Sequence, residues 1–276
     1  MNELAVIILN YKTWSDTIKE IEHIHNLFNI DYDNFVVIDN DSPNESYEKL
    51  NSYKINKNIV LIKSDVNAGY ARGNNIGLKY AYKQGYKYAL IVNNDVEFTD
   101  KETLKTLVNC LEHDRKLAAI NPDVCSQTGK IYNRDAIRPS FFDMTICMIS
   151  YIKKGRCLEM INNNYAYVYR PQGCCMLVRL EYLNNVEYFD EATFLYNEEI
   201  ILAERLLQNE YQCGCVPNCR IIHKTSSTIK NVFNKEKILK YYLFGFKYYL
   251  KEYRGFGTIK TYFALFFYFI KILIIL

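Results

Sequence analysis

The sequence predicts an α/β fold, a mostly parallel central sheet with helices on both faces. Three observations carry that expectation. Over the first hundred residues, short β-branched apolar runs alternate with longer amphipathic segments, the rhythm of strands joined by crossover helices. The 276 residues are 49% hydrophobic and 24% charged, a globular balance that excludes a disordered chain. Several apolar runs end in hydrogen-bonding residues (Asn10 and Tyr11, Asp39 and Asn40, Asn93 to Asp95), where open α/β sheets receive ligands.

The elements follow in order. LAVIILN (4–10) is short and β-branched and reads as a buried strand. Residues 13–28 carry Ile18, Ile21, Ile24 and Leu27 at a spacing of three, with Thr13 or Ser15 as cap, so they predict an amphipathic helix. FVVIDN (35–40) is the second strand. SPNESYEKLNSY (42–53) predicts a helix with Ser42 at the cap, Pro43 at its first position and Glu45 three residues after Ser42. IVLIKS (59–64) is the third strand, residues 70–84 a helix closed by Gly85, and YALIVNND (88–95) the fourth strand. Beyond these, 101–114 and 197–210 read as helices, and 117–124 and 173–179 as strands. Residues 213–223 read as a strand or strand pair ending on His223. Residues 125–165 show no period and are expected to be irregular.

Composition narrows the classes further. A chain of this length buries roughly 75% of the surface exposed on unfolding and needs no covalent staples. Eleven Gly and five Pro exclude collagen-like and low-complexity chains, and a net charge of +3 gives no argument for nucleic acid. Residues 1–9 lack a basic leader, so the nine scattered Cys are expected as reduced thiols rather than a disulfide frame. Cys213, Cys215, Cys219 and His223 have a zinc-like spacing, but strand alternation and Pro217 favour packing. Abundant Lys, Asn, Ile and Tyr point to a low-GC bacterial coding sequence.

Charge is segregated. Residues 230–276 hold nine Lys or Arg against two Glu, a net of +7, while the first 229 residues carry −4. This tail is rich in Tyr and Phe and ends in TYFALFFYFIKILIIL, a run interrupted by Lys271. Sixteen residues fall short of the roughly 20 that a spanning helix needs. The pattern predicts peripheral attachment to an anionic leaflet, with packing on the domain or on a second copy as the alternative.

Seven motifs then occur in one order: VIILNYKTW (6–14), VVIDNDSPN (36–44), NAGYARGNNIG (67–77), IVNNDVEF (91–98), GCCMLVR (173–179), FDEATFLYNEEIILAERL (189–206) and PNCRIIH (217–223). In that order, from about residue 4 to 228, the chain resembles family 2 glycosyltransferases of the GT-A fold, in the branch of bacterial rhamnosyltransferases and surface-polysaccharide transferases. The resemblance implies a nucleotide-sugar-binding half (1–97), an acceptor-binding and catalytic half (98–229) containing an acceptor-side insertion, and the tail (230–276). It implies an inverting transfer from a UDP- or dTDP-sugar, dTDP-rhamnose among them, to a growing, lipid-linked glycan at the inner face of the cell membrane.

The resemblance also assigns residues. Asn10, Tyr11, Asp39, Asn67, Arg72, Asn75, Asn93 and Asn94 fall on nucleotide-sugar positions. Among them the Asp39 carboxylate can accept a pyrimidine N–H. Asp95 takes the last acid of the metal-binding motif, and His223 the position of a histidine that contacts metal or diphosphate. Together they imply a divalent cation, Mg or Mn, bound mainly through oxygen. Asn93 and Asn94 stand where many members carry acids. In the acidic pair, Glu199 replaces the usual Asp and is the expected base, with Glu198 as alternative base or as an acid favoured at a helix N-terminus. A sugar-1-phosphate nucleotidyltransferase is disfavoured, because NYKTWSD follows the first strand where those enzymes carry a Gly- and Arg-rich loop with a catalytic Lys. A non-catalytic scaffold subunit stays open through Asn93, Asn94 and Glu199.

Overall fold

The computed structural model describes residues 3–149, 158–161, 164–224 and 234–275. Parts of the 125–165 segment and the start of the tail lie outside these residues.

The first half forms as its patterning requires. Strands β1 (Leu4–Asn10), β2 (Phe35–Asp39), β3 (Val60–Lys63) and β4 (Tyr88–Val92) are parallel, in the order β3-β2-β1-β4. Helices α1 (Trp14–Phe28), α2 (Ser46–Lys57) and α3 (Tyr70–Lys83) connect them. The α2 helix starts at Ser46, not at Ser42. The Ser42 hydroxyl is spent on Asp39 Oδ2 (2.8 Å) and on the Lys12 N–H (2.9 Å), so it serves the strand ends rather than a cap.

Beyond β4 the sheet is mixed. It continues through β9 (Cys175–Arg179), β6 (Leu117–Cys125), β10 (Gln212–His223), β8 (Tyr165–Val168) and β7 (Met160–Ile161), with β5 (Val96–Phe98) pairing with β10. Strand β9 is antiparallel to both β4 and β6. The β6–β10 pair is parallel, with a register shift between Val216 and Arg220 that takes in Pro217, which has no N–H to give the ladder. Strands β5, β7 and β8 are too short for the sequence pattern to mark. So are the α5 turn (Ile146–Ile149) and α6 (Leu180–Asn185), while α4 (Thr103–His113) and α7 (Glu198–Gln208) fall where expected.

Alternate residues of each strand feed two cores. Val6, Ile8, Val37 and Leu90 face α1, α2 and α4, through Ile21, Ile24, Leu50 and Leu107. Ala5, Ile7, Ile38 and Ile91 face α3, α6 and α7, through Leu78, Leu183 and Leu202. Cys213 and Cys215 belong to the second core and Cys219 to the first, so the three thiols do not converge.

The tail forms α8 (Lys235–Tyr248), a π-helical turn (Tyr249–Tyr253) and α9 (Thr258–Ile275). These build a third apolar cluster with α7 and the α5 region, in which Ile201 and Met144 meet Phe246, Tyr249, Ala264, Tyr268 and Ile272. Beneath it Glu204 of α7, 2% exposed, accepts both arms of Arg138 and the hydroxyl of Tyr169, and Arg254 donates to Tyr249 Oη and Pro139 O. Among the described residues no helix is long and apolar enough to cross a membrane.

Candidate active site

The ends of β1, β2 and β4 are tied together by one chain of side-chain hydrogen bonds. Asn94 Nδ2 donates to Thr13 (2.7 Å) and Thr17 (2.9 Å), Thr17 donates to Asn10 Oδ1 (2.9 Å), and Asn10 Nδ2 donates to Asp39 Oδ2 (2.7 Å). The Ser42 N–H closes on Asp39 Oδ1 at 3.0 Å. Asn10 and Asp39 are both fully buried, and Asn10 and Ser42 already occupy the Asp39 carboxylate that a pyrimidine N–H would need. Tyr11 lies beside this chain with Lys12 Nζ 5.1 Å from its ring centre.

The glycine-rich turn packs on the second half. Gly69 has φ +93°, and a Cβ there would lie 1.9 Å from Phe194 O, which accepts the Tyr70 N–H at 2.9 Å. Asn67 Oδ1 accepts from Asn40 Nδ2 (3.0 Å) and from the Gly69 N–H (3.2 Å). Asn75 exchanges bonds with the Phe189 backbone (2.9 and 3.0 Å) and donates to Glu191, so its amide anchors the 189–191 segment. Arg72 is exposed on α3.

The structure brings Asp95 and His223 together. Pairing of β5 with β10 sets His223 opposite Val96, and His223 Nε2 lies 3.1 Å from Asp95 Oδ1. Both side chains are only about 15% exposed (15% and 14%). The Tyr132 hydroxyl meets His223 Nδ1 at 2.7 Å and so orients the ring. One carboxylate and one imidazole suit a divalent cation whose remaining positions go to diphosphate oxygens and water. No group of three or more His, Cys, Asp or Glu converges among the described residues.

The acidic pair opens α7 and splits into two environments. Glu199 Oε2 meets Arg170 Nη1 at 2.5 Å, and Oε1 accepts from the Gly173 N–H (2.6 Å) and Gln172 Nε2 (3.1 Å). Arg170 also holds Asp135 at 2.7 Å. A Cβ on Gly173 would sit 2.9 Å from Glu199 Oε1, so glycine is what lets the carboxylate reach the backbone. Glu198 is buried. Burial pushes its carboxyl from 4.5 up to about 8, backbone N–H bonds oppose the shift and the neighbouring Glu199 adds to it. Its buried Oε1 has no hydrogen-bond partner among the described residues.

The two halves share one wall. The Asn93 N–H donates to Cys174 O at 2.9 Å, one residue from the Gly173 that binds Glu199. Burial pushes the Tyr132 hydroxyl up, and Asp95 and Glu199 both add to the shift, so Tyr132 lies in the field of both acids. Tyr132, Asp135, Arg170 and Gln172 are site residues that sequence reasoning missed. They sit in or beside the stretch without periodicity, where polar residues resemble any loop. Lys271 stands on the same side, its ammonium pushed down by burial and by Arg170 while Asp135 opposes.

The chain matches the sequence profile of "Glycosyl transferase family 2" over residues 5–186. It is 25% identical over 223 residues to the low-salt glycan biosynthesis hexosyltransferase Agl10 of Haloferax volcanii, covering 80% of this chain and 66% of that protein. Among solved structures, GalNAc-T7 with UDP, GalNAc and Mn2+ superposes with a TM-score of 0.60 at 16% identity, over 95% of this chain and 53% of that one. The mannosyltransferase PcManGT of Pyrobaculum calidifontis with GDP-Man and Mn2+ gives 0.60 at 12%, over 97% and 69%. S. aureus TarS 1–349 with UDP-GlcNAc gives 0.55 at 16%, over 90% and 66%. These structural likenesses carry the fold. The chain spans 66% of the length of the Haloferax relative and 53% of GalNAc-T7.

Proposed function

The chain belongs to glycosyl transferase family 2, and on that premise we propose that it transfers a sugar from a nucleoside-diphosphate sugar to a glycan hydroxyl, by single displacement with inversion. The observation that carries the reading is the shared wall. The Asp95–His223 pair and the Glu199 carboxylate are joined through Asn93, Cys174 and Gly173, so a pair suited to a cation and a base stand on one wall.

Each residue has a task. Glu199 stands as the carboxylate of a charge pair with Arg170 and takes the proton of the attacking hydroxyl. Glu198, shifted to about 8, keeps its proton at neutral pH and is the poorer base. Asp95 and His223 would hold a divalent ion, Mg or Mn, which neutralises charge building on the departing diphosphate. That cation is in keeping with the Mn2+ named for GalNAc-T7 and PcManGT. With Nε2 given to an ion, Nδ1–H of His223 donates to Tyr132. Asn94 braces the loop through Thr13 and Thr17, and Asn93 is left for ribose or sugar.

On this reading the donor is a UDP- or dTDP-sugar, with Tyr11, Asn67 and Arg72 on the donor side, while Asn75, expected there too, is spent on the 189–191 segment. On the same reading the acceptor is a lipid-linked surface glycan, reached by peripheral binding of residues 230–276 to an anionic inner leaflet. The purified full chain should be incubated with UDP-, dTDP- and GDP-sugars, with Mg, Mn or excess chelator. Release of nucleoside diphosphate that stops with chelator is expected. Pyrophosphate as product, or no product from any donor, overturns the reading.

A further inference from the structure

Resting on that reading of Glu198 and Glu199, we infer that the C-terminal helix pair positions the catalytic turn. Tyr242 and Gly245 of α8 and Tyr268 of α9 hold the two residues that aim the acidic pair.

Those two residues are Tyr196 and Asn197. They stand immediately before α7, and both are left-handed, with φ of 73° and 70°. A residue with a Cβ avoids this region, a tyrosine more than an asparagine, and two in succession persist only where the surroundings impose them. The Asn197 side chain makes no cap bond to α7, and the local contact at the turn is the Tyr196 backbone N–H on the Glu198 carboxyl. The contacts that impose the turn come from the tail. The Tyr196 ring stacks on Tyr242 with centres 3.7 Å apart and planes at 11°. Asn197 Nδ2 donates to Tyr242 O (3.3 Å), and Tyr268 Oη donates to Asn197 Oδ1 (3.3 Å). A Cβ on Gly245 would sit 2.8 Å from Asn197 Nδ2 and 2.9 Å from Tyr196 O, so the helix backbone itself is pressed on the turn.

The turn sets where the acids point. Asn197 O accepts the Ile201 N–H at 3.1 Å, the first bond of α7, so a rotation at Asn197 turns that helix start. Glu199 must meet Arg170, Gln172 and the Gly173 N–H at once, and a displacement of about 1 Å at such a centre can cost on the order of 100-fold in rate. Tyr268 is therefore a positioning residue, acting through Asn197 on Glu199.

The test uses the full chain and two substitutions. Tyr268→Phe removes the hydroxyl and keeps the ring against Phe246, 4.1 Å away. Gly245→Ala pushes on the turn. Three readouts are taken: kcat and KM for nucleoside diphosphate release, affinity for UDP with Mn2+, and amide hydrogen exchange over 194–202. Expected for Tyr268→Phe are a kcat lower by about 3–30-fold, unchanged donor KM and UDP affinity, and faster exchange over 194–202. Gly245→Ala should do the same more strongly. Wild-type kcat and exchange in Tyr268→Phe overturn the inference. So does a loss of kcat, UDP affinity and melting temperature together, the mark of a merely structural contact. If the wild-type chain releases nucleoside diphosphate from no donor, the transferase reading fails by itself. The exchange arm then still decides whether the tail holds the turn.

Discussion

At the scale of the residue, two adjacent glutamates are driven apart by their surroundings. Glu199 reaches Arg170 and two N–H groups, while Glu198 is buried and shifts to about 8. Replacing Glu199 by Gln keeps its size and hydrogen bonding but removes the proton acceptor. Turnover should fall by about 100-fold or more with donor binding little changed, and a dead Glu198→Gln beside an active Glu199→Gln would reverse the assignment. Glu198 also makes a stability prediction. Its folded value lies above its unfolded one, so between pH 4.5 and about 8 the folded chain holds a proton that the unfolded chain has released. Stability from this group therefore falls as pH rises through that window and is flat above it. Glu20 shifts in the same direction, so the difference between wild type and Glu198→Gln isolates Glu198. The variant should gain on wild type from pH 5 to 8, by on the order of a few kcal/mol in denaturant unfolding. A pH-independent difference would show that Glu198 is already ionised.

At the scale of the element, strands and helices of ordinary length were legible because hydrophobic period alone decides them. The first four strands, α1, α3, α4 and α7 fall within a few residues of the sequence expectation. The start of α2 was misplaced because Ser42 had two uses, as a cap and as a partner of Asp39, and only the fold discloses the second. In the site, Asp95 and His223 were legible as residue types at strand ends, and the β5–β10 pairing brings them together. Arg170 was not legible, because an arginine in an aperiodic stretch looks like solvated surface until Asp135 and Glu199 close on it. Tail helices were legible as apolar segments, but not the polar cluster beneath them. There Arg254, with a side chain 8% exposed, donates to Tyr249 Oη (2.6 Å) and Pro139 O (2.9 Å) and lies 3.8 Å from Glu204. Arg254→Met fills the same volume and leaves those acceptors buried without their donor. It should cost about 2–3 kcal/mol, read as a lower urea midpoint with unchanged slope. A change within about 0.5 kcal/mol would show that water replaces the guanidinium.

At the scale of the molecule, α9 is apolar on two sides with different fates. Thr261, Ala264, Tyr268 and Ile272 are buried on the domain, whereas Ile259, Phe263, Phe266 and Leu273 are 87%, 48%, 60% and 53% exposed. Between α8 and α9 lies an apolar groove of about 390 Å³, lined by Phe244, Tyr262, Phe266 and Phe269, with Lys247 at its edge. Lysines 251 and 260 are exposed nearby, so an apolar face is bordered by cations, the composition of a surface that enters an anionic leaflet shallowly. Each basic group near such a leaflet is worth about 1 kcal/mol, and salt weakens that contribution while leaving apolar insertion intact. The chain should therefore sediment with anionic vesicles, less with neutral ones, and be only partly released by high salt. Ile259→Glu combined with Phe266→Glu places charge on the exposed face alone, so the fold and the contacts of Tyr268 should survive. That double variant should lose vesicle binding while keeping nucleoside diphosphate release from soluble donor. If it sediments as wild type does, the outer face of α9 does not meet lipid.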